Sequence, residues 1–162
     1  MFTFLKRRRA ELDARKKIGI ALHRQIKDAF EQDEEETARR LMTFFTAGYV
    51  YGFVRIGFST LISVSGERAT DRHIRHICNG VLPGKLWENL NRKLAALEIA
   101  RNMDDQHKKL RSSDLTPAEG IKLFEAGFEL GFRDASYSET FQRSFAFNLR
   151  KFLVGELDDY RL

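Results

Sequence analysis

Apolar residues near the start of the chain recur every four positions. Ala14, Ile18, Leu22, Ile26 and Phe30 form one stripe, with Lys16, Lys17, Arg24 and Lys27 around it. This is the period of an amphipathic helix and predicts one over residues 10–30. Residues 41–64 differ: LMTFFTAGYVYGFVRIGFSTLISV carries Arg55 as its one formal charge. Residues 33–63 are expected to form a second helix, buried on most sides. Asp33 would cap it, with Glu36 three positions on. Its β-branched end, residues 58–65, also fits an extended segment, and Gly66 a terminator. Residues 70–78 predict a short helix stopped by Asn79 and Gly80, and Val81-Leu82-Pro83-Gly84 reads as a turn. A helix over 85–110 follows, with Leu86 or Trp87, then Leu90, Leu94 and Leu97, inward. Thr116-Pro117-Ala118-Glu119 has a cap, a proline at the first helical position and a capping-box glutamate, so residues 117–134 are helical. A second box at Ser136–Glu139 opens a last helix with Phe141, Phe145, Leu149 and Phe152 on one side and Gly155 at its end. The expected fold is all-α, a compact bundle of five or six helices.

Part of the long apolar stretch returns later in the chain. FFTAGYVYGF, from Phe44, aligns with LFEAGFELGF, from Leu123, and the two share an alanine, two glycines and a following phenylalanine. Gly48 and Gly52 are four apart, so they share a helix face, as do Gly127 and Gly131. A mid-helix glycine costs roughly 1 kcal/mol against alanine; a pair at this spacing lets another backbone come close. We expect these four glycines to be helix-packing positions and the chain to hold two duplicated halves, residues 10–80 and 85–155.

Residues 41–64 are long enough to cross a bilayer, which takes about 20 apolar residues, and Arg39 and Arg40 resemble a positive flank. Arg55 opposes a span, at roughly 2.5–3.5 kcal/mol in mid-membrane. The second copy carries Glu125, Glu129, Arg133 and Asp134. The expectation is a buried core helix and no transmembrane span.

Fourteen phenylalanines supply core material, and two prolines leave long unbroken runs. The one cysteine, Cys78, excludes an internal disulfide framework and favours a reducing, cytoplasmic setting. MFTFL is too short for the apolar part of a signal peptide, and the cations follow it instead of preceding it. Charge is uneven. Residues 1–27 hold nine Lys/Arg against two Asp/Glu, a surplus of +7, while the remainder holds 19 against 21. Lys6, Arg7, Arg8 and Arg9 therefore mark a basic N-terminal arm, residues 1–9, before a single helical domain, residues 10–155, and an acidic tail, residues 156–162. The arm suits nucleic acid or an anionic membrane surface; it also suits a solvated start whose aromatics dock on the body.

Candidate chemistry is sparse. RHIRHIC holds His73, His76 and Cys78, but no fourth ligand is marked and Arg72 and Arg75 disfavour another cation, so no metal is expected. Cys78 and His76 are two apart in a helix and do not face each other as a catalytic pair would. No phosphate loop, dinucleotide fingerprint or nucleophile elbow is present, and neither catalytic residue nor cofactor is expected. Arg55 lies seven residues after Gly48 and Asp134 seven after Gly127, so they are the candidate ion pair, or Arg55 an anion site. The leading expectation is a noncatalytic interaction or regulatory protein, acting as a homodimer or with another protein partner. The alternatives are nucleic-acid or anionic-membrane binding through the arm, and a small-molecule sensor or enzyme with a pocket near Arg55, Tyr49 and Tyr51.

Overall fold

The computed structural model describes residues 2–62, 71–81, 86–102, 115–137, 141 and 148–157. Among them are seven helices and no strand: α1 (Phe2–Gln32), α2 (Glu34–Leu41), α3 (Phe44–Leu61), α4 (Asp71–Val81), α5 (Leu86–Asn102), α6 (Pro117–Ala135) and α7 (Asn148–Leu153). The fold is all-α, with one helix more than the five or six expected. The extra helix arises at Met42–Thr43, inside the single helix expected over residues 33–63. Thr43 is extended and its hydroxyl accepts from Thr46 N, so it caps α3. The Thr46 hydroxyl in turn donates to Arg40 O at 2.9 Å, which holds the corner. α2 and α3 meet there at 76°.

Local signals explain the other boundaries. Asp33 caps α2 by accepting from Glu36 N, with three glutamates in the first turn, where the helix dipole favours negative charge. Thr116 and Glu119 close the capping box of α6 around Pro117. Gly155, at φ +80, ends α7: its N–H donates to Phe152 O and that of Glu156 to Lys151 O, a left-handed stop that glycine adopts without strain. α1 begins at Phe2 and not near Ala10, so the basic arm is the first turns of a continuous helix. Gly66, the end of the 85–110 helix, the second capping box beyond Tyr137, Phe145 and most of the acidic tail lie outside the described residues.

α3 is the centre. All of its residues from Phe44 to Val50 are buried, and Tyr49, Phe45, Phe53 and Phe58 are among the largest fully buried side chains. Burying one such aromatic contributes about 2–3 kcal/mol. Phe45 stacks on Phe152 of α7 at 4.0 Å between ring centroids. α1 covers α3 with the stripe Ala14, Ile18, Leu22, Ile26 and Ala29. α6 lies along α3 in the most extensive contact of the fold. No single helix among the described residues is long and apolar enough to cross a membrane; α2 and α3 reach that composition only as a bent pair.

Candidate functional site

The α3–α6 contact is built from glycine. A Cβ on Gly48 would lie 2.0 Å from Phe124 O, and one on Gly52 2.4 Å from Phe128 O. In return, a Cβ on Gly127 would lie 2.1 Å from Phe45 O, and one on Gly131 2.2 Å from Tyr49 O. Each glycine thus meets the carbonyl three residues before its counterpart. The paired positions advance together along both helices, so α3 and α6 run parallel. Where a Cβ would clash, a glycine Cα–H faces the carbonyl oxygen, a weak attraction that recurs at close helix contacts. At the far end, the Thr60 hydroxyl donates to Ala135 O at 2.9 Å.

One polar node spans this seam. The Tyr49 hydroxyl, fully buried, donates to Asp134 Oδ2 at 2.5 Å, and Gln25 of α1 lies within 3.4 Å of it. Asn148 Nδ2 donates to Asp134 Oδ1 at 2.6 Å. Four helices therefore meet around one carboxylate. Burial pushes the Asp134 carboxyl up, against the lowering effect of its bonds from Tyr49 and Asn148. Burial and then the Asp134 charge push the Tyr49 phenol well up. A hydrogen-bonded cluster shared between helices in this way fits register-keeping.

Arg55 and Asp134 are not brought together. Asp134 is taken up by Tyr49 and Asn148, whose donors lie inside the bundle; Arg55 is half-buried on α3. The buried arginine is Arg40 instead. Its guanidinium lies 5.2 Å over the Phe152 ring and bonds Glu36. Arg39 donates to Glu36 as well, and these two arginines, Arg39 first, hold the Glu36 carboxyl down to about 2.

RHIRHIC disperses around α4. His73 stacks on Phe58 at 4.6 Å, Cys78 is buried, with its thiol pushed up by that burial, and His76 is exposed. His76 lines a groove of about 850 Å³ between α1 and α4.

The outer side of α1 carries a feature that the sequence reading missed. Leu5, Arg9, Leu12, Lys16, Ile20, His23 and Lys27 are spaced by four or three residues, so they follow one line along the helix, and all are exposed. Leu5, Leu12 and Ile20 keep 57%, 54% and 48% of their surface. The nearby acids are taken sideways: Glu11 by Arg7 at 3.6 Å, Asp13 by Lys17 at 3.2 Å and Glu31 by Lys27 at 3.4 Å. Arg9 and Lys16 form no ion pair among the described residues. Further along, Arg15 Nε is buried with no hydrogen-bond partner among the described residues, on the wall of the α1–α4 groove. Lys6 and Arg9 thus belong to a basic helix flank, not to a separate arm. The signal was legible as Leu5, Leu12 and Ile20 at near-heptad spacing, but it disappears once residues 1–9 are set apart from the helix.

No protein-family model, curated protein or solved structure matches the chain.

Proposed function

We propose that the chain is a noncatalytic interaction protein that lies on an anionic membrane surface through the outer face of α1. The line of alternating exposed apolar and cationic residues from Leu5 to Lys27 carries this reading. A helix settles at a bilayer interface when leucine-type side chains enter the acyl boundary and lysines and arginines meet lipid phosphates. Each cation near such a surface contributes about 1 kcal/mol. Arg15 Nε, buried without an acceptor, would gain one from a phosphate. Nucleic acid would use the cations and gives no role to three exposed aliphatic side chains. Pairing of two α1 helices along this line would set like charges against each other. A cytoplasmic setting accords with one buried cysteine.

The test is co-sedimentation with vesicles of phosphatidylcholine alone and with phosphatidylserine added. Binding is expected only to the anionic vesicles, weakening with salt. Arg9→Glu with Lys16→Glu should lower it at least tenfold, and Leu12→Ser with Ile20→Ser should lower it at unchanged net charge. If the serine pair leaves binding intact while duplex DNA binds equally well, the surface is a nucleic-acid site and the membrane reading fails.

A homodimer is the second reading. Phe132 and Tyr137 are exposed at the end of α6, beside a hollow that Glu129 and Arg133 also line. Those opposite charges would pair across a two-fold axis, as an isologous contact requires. Phe132→Glu should then make a dimeric protein monomeric by sedimentation. The reciprocal glycine contacts also support descent of α3 and α6 from one duplicated helix.

A further inference from the structure

A second cavity, of about 580 Å³, opens among α3, α4, α5 and α6. Three aromatic rings line it: Tyr51 of α3, Trp87 of α5 and Phe124 of α6. Tyr51 and Phe124 stand 6.2 Å apart at 57°, so their faces are inclined to each other. Trp87 is otherwise buried. The polar lining is Arg75, Asn91 and Glu98. All three are exposed, and none has a hydrogen bond or ion pair among the described residues. Trp87, Asn91 and Glu98 fall at i, i+4 and i+11 on α5, which places them on one side of that helix. The cavity therefore combines π faces, one uncommitted carboxylate and one uncommitted guanidinium.

Aromatic faces attract cations through their quadrupole, and converging faces suit methylated ammonium groups, whose charge is spread over methyls that shed water easily. Glu98 adds the opposing charge. Arg75 would repel a simple cation, yet it can bond a carboxylate or phosphate on the same molecule. We propose that this cavity binds a small zwitterion, with its trimethylammonium group among Tyr51, Trp87 and Phe124 near Glu98, and its anionic end on Arg75 and Asn91. This inference is independent of the α1 surface.

Trp87 is the one tryptophan of the chain, so its fluorescence reports on the cage directly. The probes are glycine betaine, its uncharged-carbon isostere 3,3-dimethylbutanoate, and choline, which lacks the anionic end. Betaine should shift Trp87 emission saturably, with a matching heat by calorimetry. The isostere should bind roughly tenfold more weakly or not at all, and choline more weakly than betaine. Glu98→Gln and Arg75→Gln remove exposed groups without partners among the described residues, so melting should be unchanged. Glu98→Gln should weaken betaine and spare the isostere, and Arg75→Gln should make betaine and choline alike. Equal binding of betaine and its isostere would make the cavity a merely apolar pocket and overturn the proposal. So would the absence of any saturable betaine signal in the folded protein.

Discussion

α3 and α6 share a contact and little else. Along the seam they are interchangeable: each offers two glycines, and each receives the partner's carbonyls at 2.0–2.4 Å from the missing Cβ. Away from it they diverge. α3 is buried from Phe44 to Val50, whereas α6 turns Lys122, Glu125, Glu129 and Arg133 to solvent. Equivalent positions have taken different roles. Tyr49 is fully buried and hydrogen-bonded, while Phe128 is half-buried and makes ring contacts within its own helix. Asp134 accepts from Tyr49 and Asn148, while Arg55, equally half-buried, joins no such node among the described residues. Backbone contact thus fixes the residues that touch and leaves the rest of each helix to its surroundings.

The largest effect should come from the shared part. Gly48→Ala and Gly127→Ala each place a Cβ against backbone that cannot rotate away, and each should cost about 3 kcal/mol, the upper range for overpacking. The two should agree within about 1 kcal/mol, because both force the same pair of helices apart. Gly80, with no atom of the described residues within 4 Å of its missing Cβ, is the control: Gly80→Ala should gain about 0.5–1 kcal/mol from helix propensity. Urea melts would decide it. A large cost at Gly48 with none at Gly127 would show that α6 moves aside and that the contact is not mutual.

The next effect separates the equivalent aromatics. Tyr49→Phe leaves Asp134 and Gln25 short of a buried partner and should cost about 2 kcal/mol. Phe128→Tyr adds a hydroxyl to a half-buried ring and should change stability by no more than about 0.5 kcal/mol. Similar costs for both would mean that the node contributes no more than its apolar packing.

Two carboxylates should give opposite pH slopes. Asp134 has a raised folded-state pKa, with burial the first cause. The folded state then holds its proton longer than the unfolded one, so this stability is full below the unfolded Asp range and is lost as pH rises through the folded value. Glu36 is lowered to about 2 by its bonds from Arg39 and Arg40. Its stability is present above the ordinary Glu value of 4.5 and is lost as pH falls toward about 2. Relative to the parent, the slope of the urea midpoint against pH should therefore become more positive in Asp134→Asn and less positive in Glu36→Gln. Slope changes of the same sign would remove one of the two assignments.

Much of this was legible in the chain. The all-α fold followed from periodicity and capping, since Asp33, Thr116 and Gly155 act through groups within a few residues of themselves. The corner at Thr43 was hidden because its neighbours are all apolar, and only the Thr46 bond to Arg40 O distinguishes a cap from a helical threonine. The Arg55–Asp134 pair failed for a related reason: equal spacing from a glycine fixes an angle on each helix, but not what a third helix offers. Tyr49, Gln25 and Asn148 come from three different helices, and no local pattern joins them. The aromatic cavity joins Tyr51, Trp87 and Phe124 across similar separations.

The smallest stability change is expected on the far side of the molecule from the seam, and its smallness is informative. Residues 5–10 of α1 are exposed throughout, and from Leu5 onward the first buried residue is Ala14. Deleting residues 1–9 removes two turns of helix, the cations Lys6, Arg7, Arg8 and Arg9, and the Arg7–Glu11 pair. An exposed i,i+4 pair contributes about 0.3–0.5 kcal/mol, and fraying at a new helix start costs little where the side chains removed are exposed, as those of residues 5–9 are. The urea midpoint should correspond to a change of no more than about 0.5 kcal/mol. Leu12→Ser, at a position 54% exposed, should be equally mild. Both changes should nevertheless lower binding to anionic vesicles, because they remove surface that the fold itself does not use. A loss of 2 kcal/mol or so on deletion would mean that the first turns of α1 hold the bundle together, and the proposed division between an inner seam for stability and an outer face for recognition would have to be abandoned.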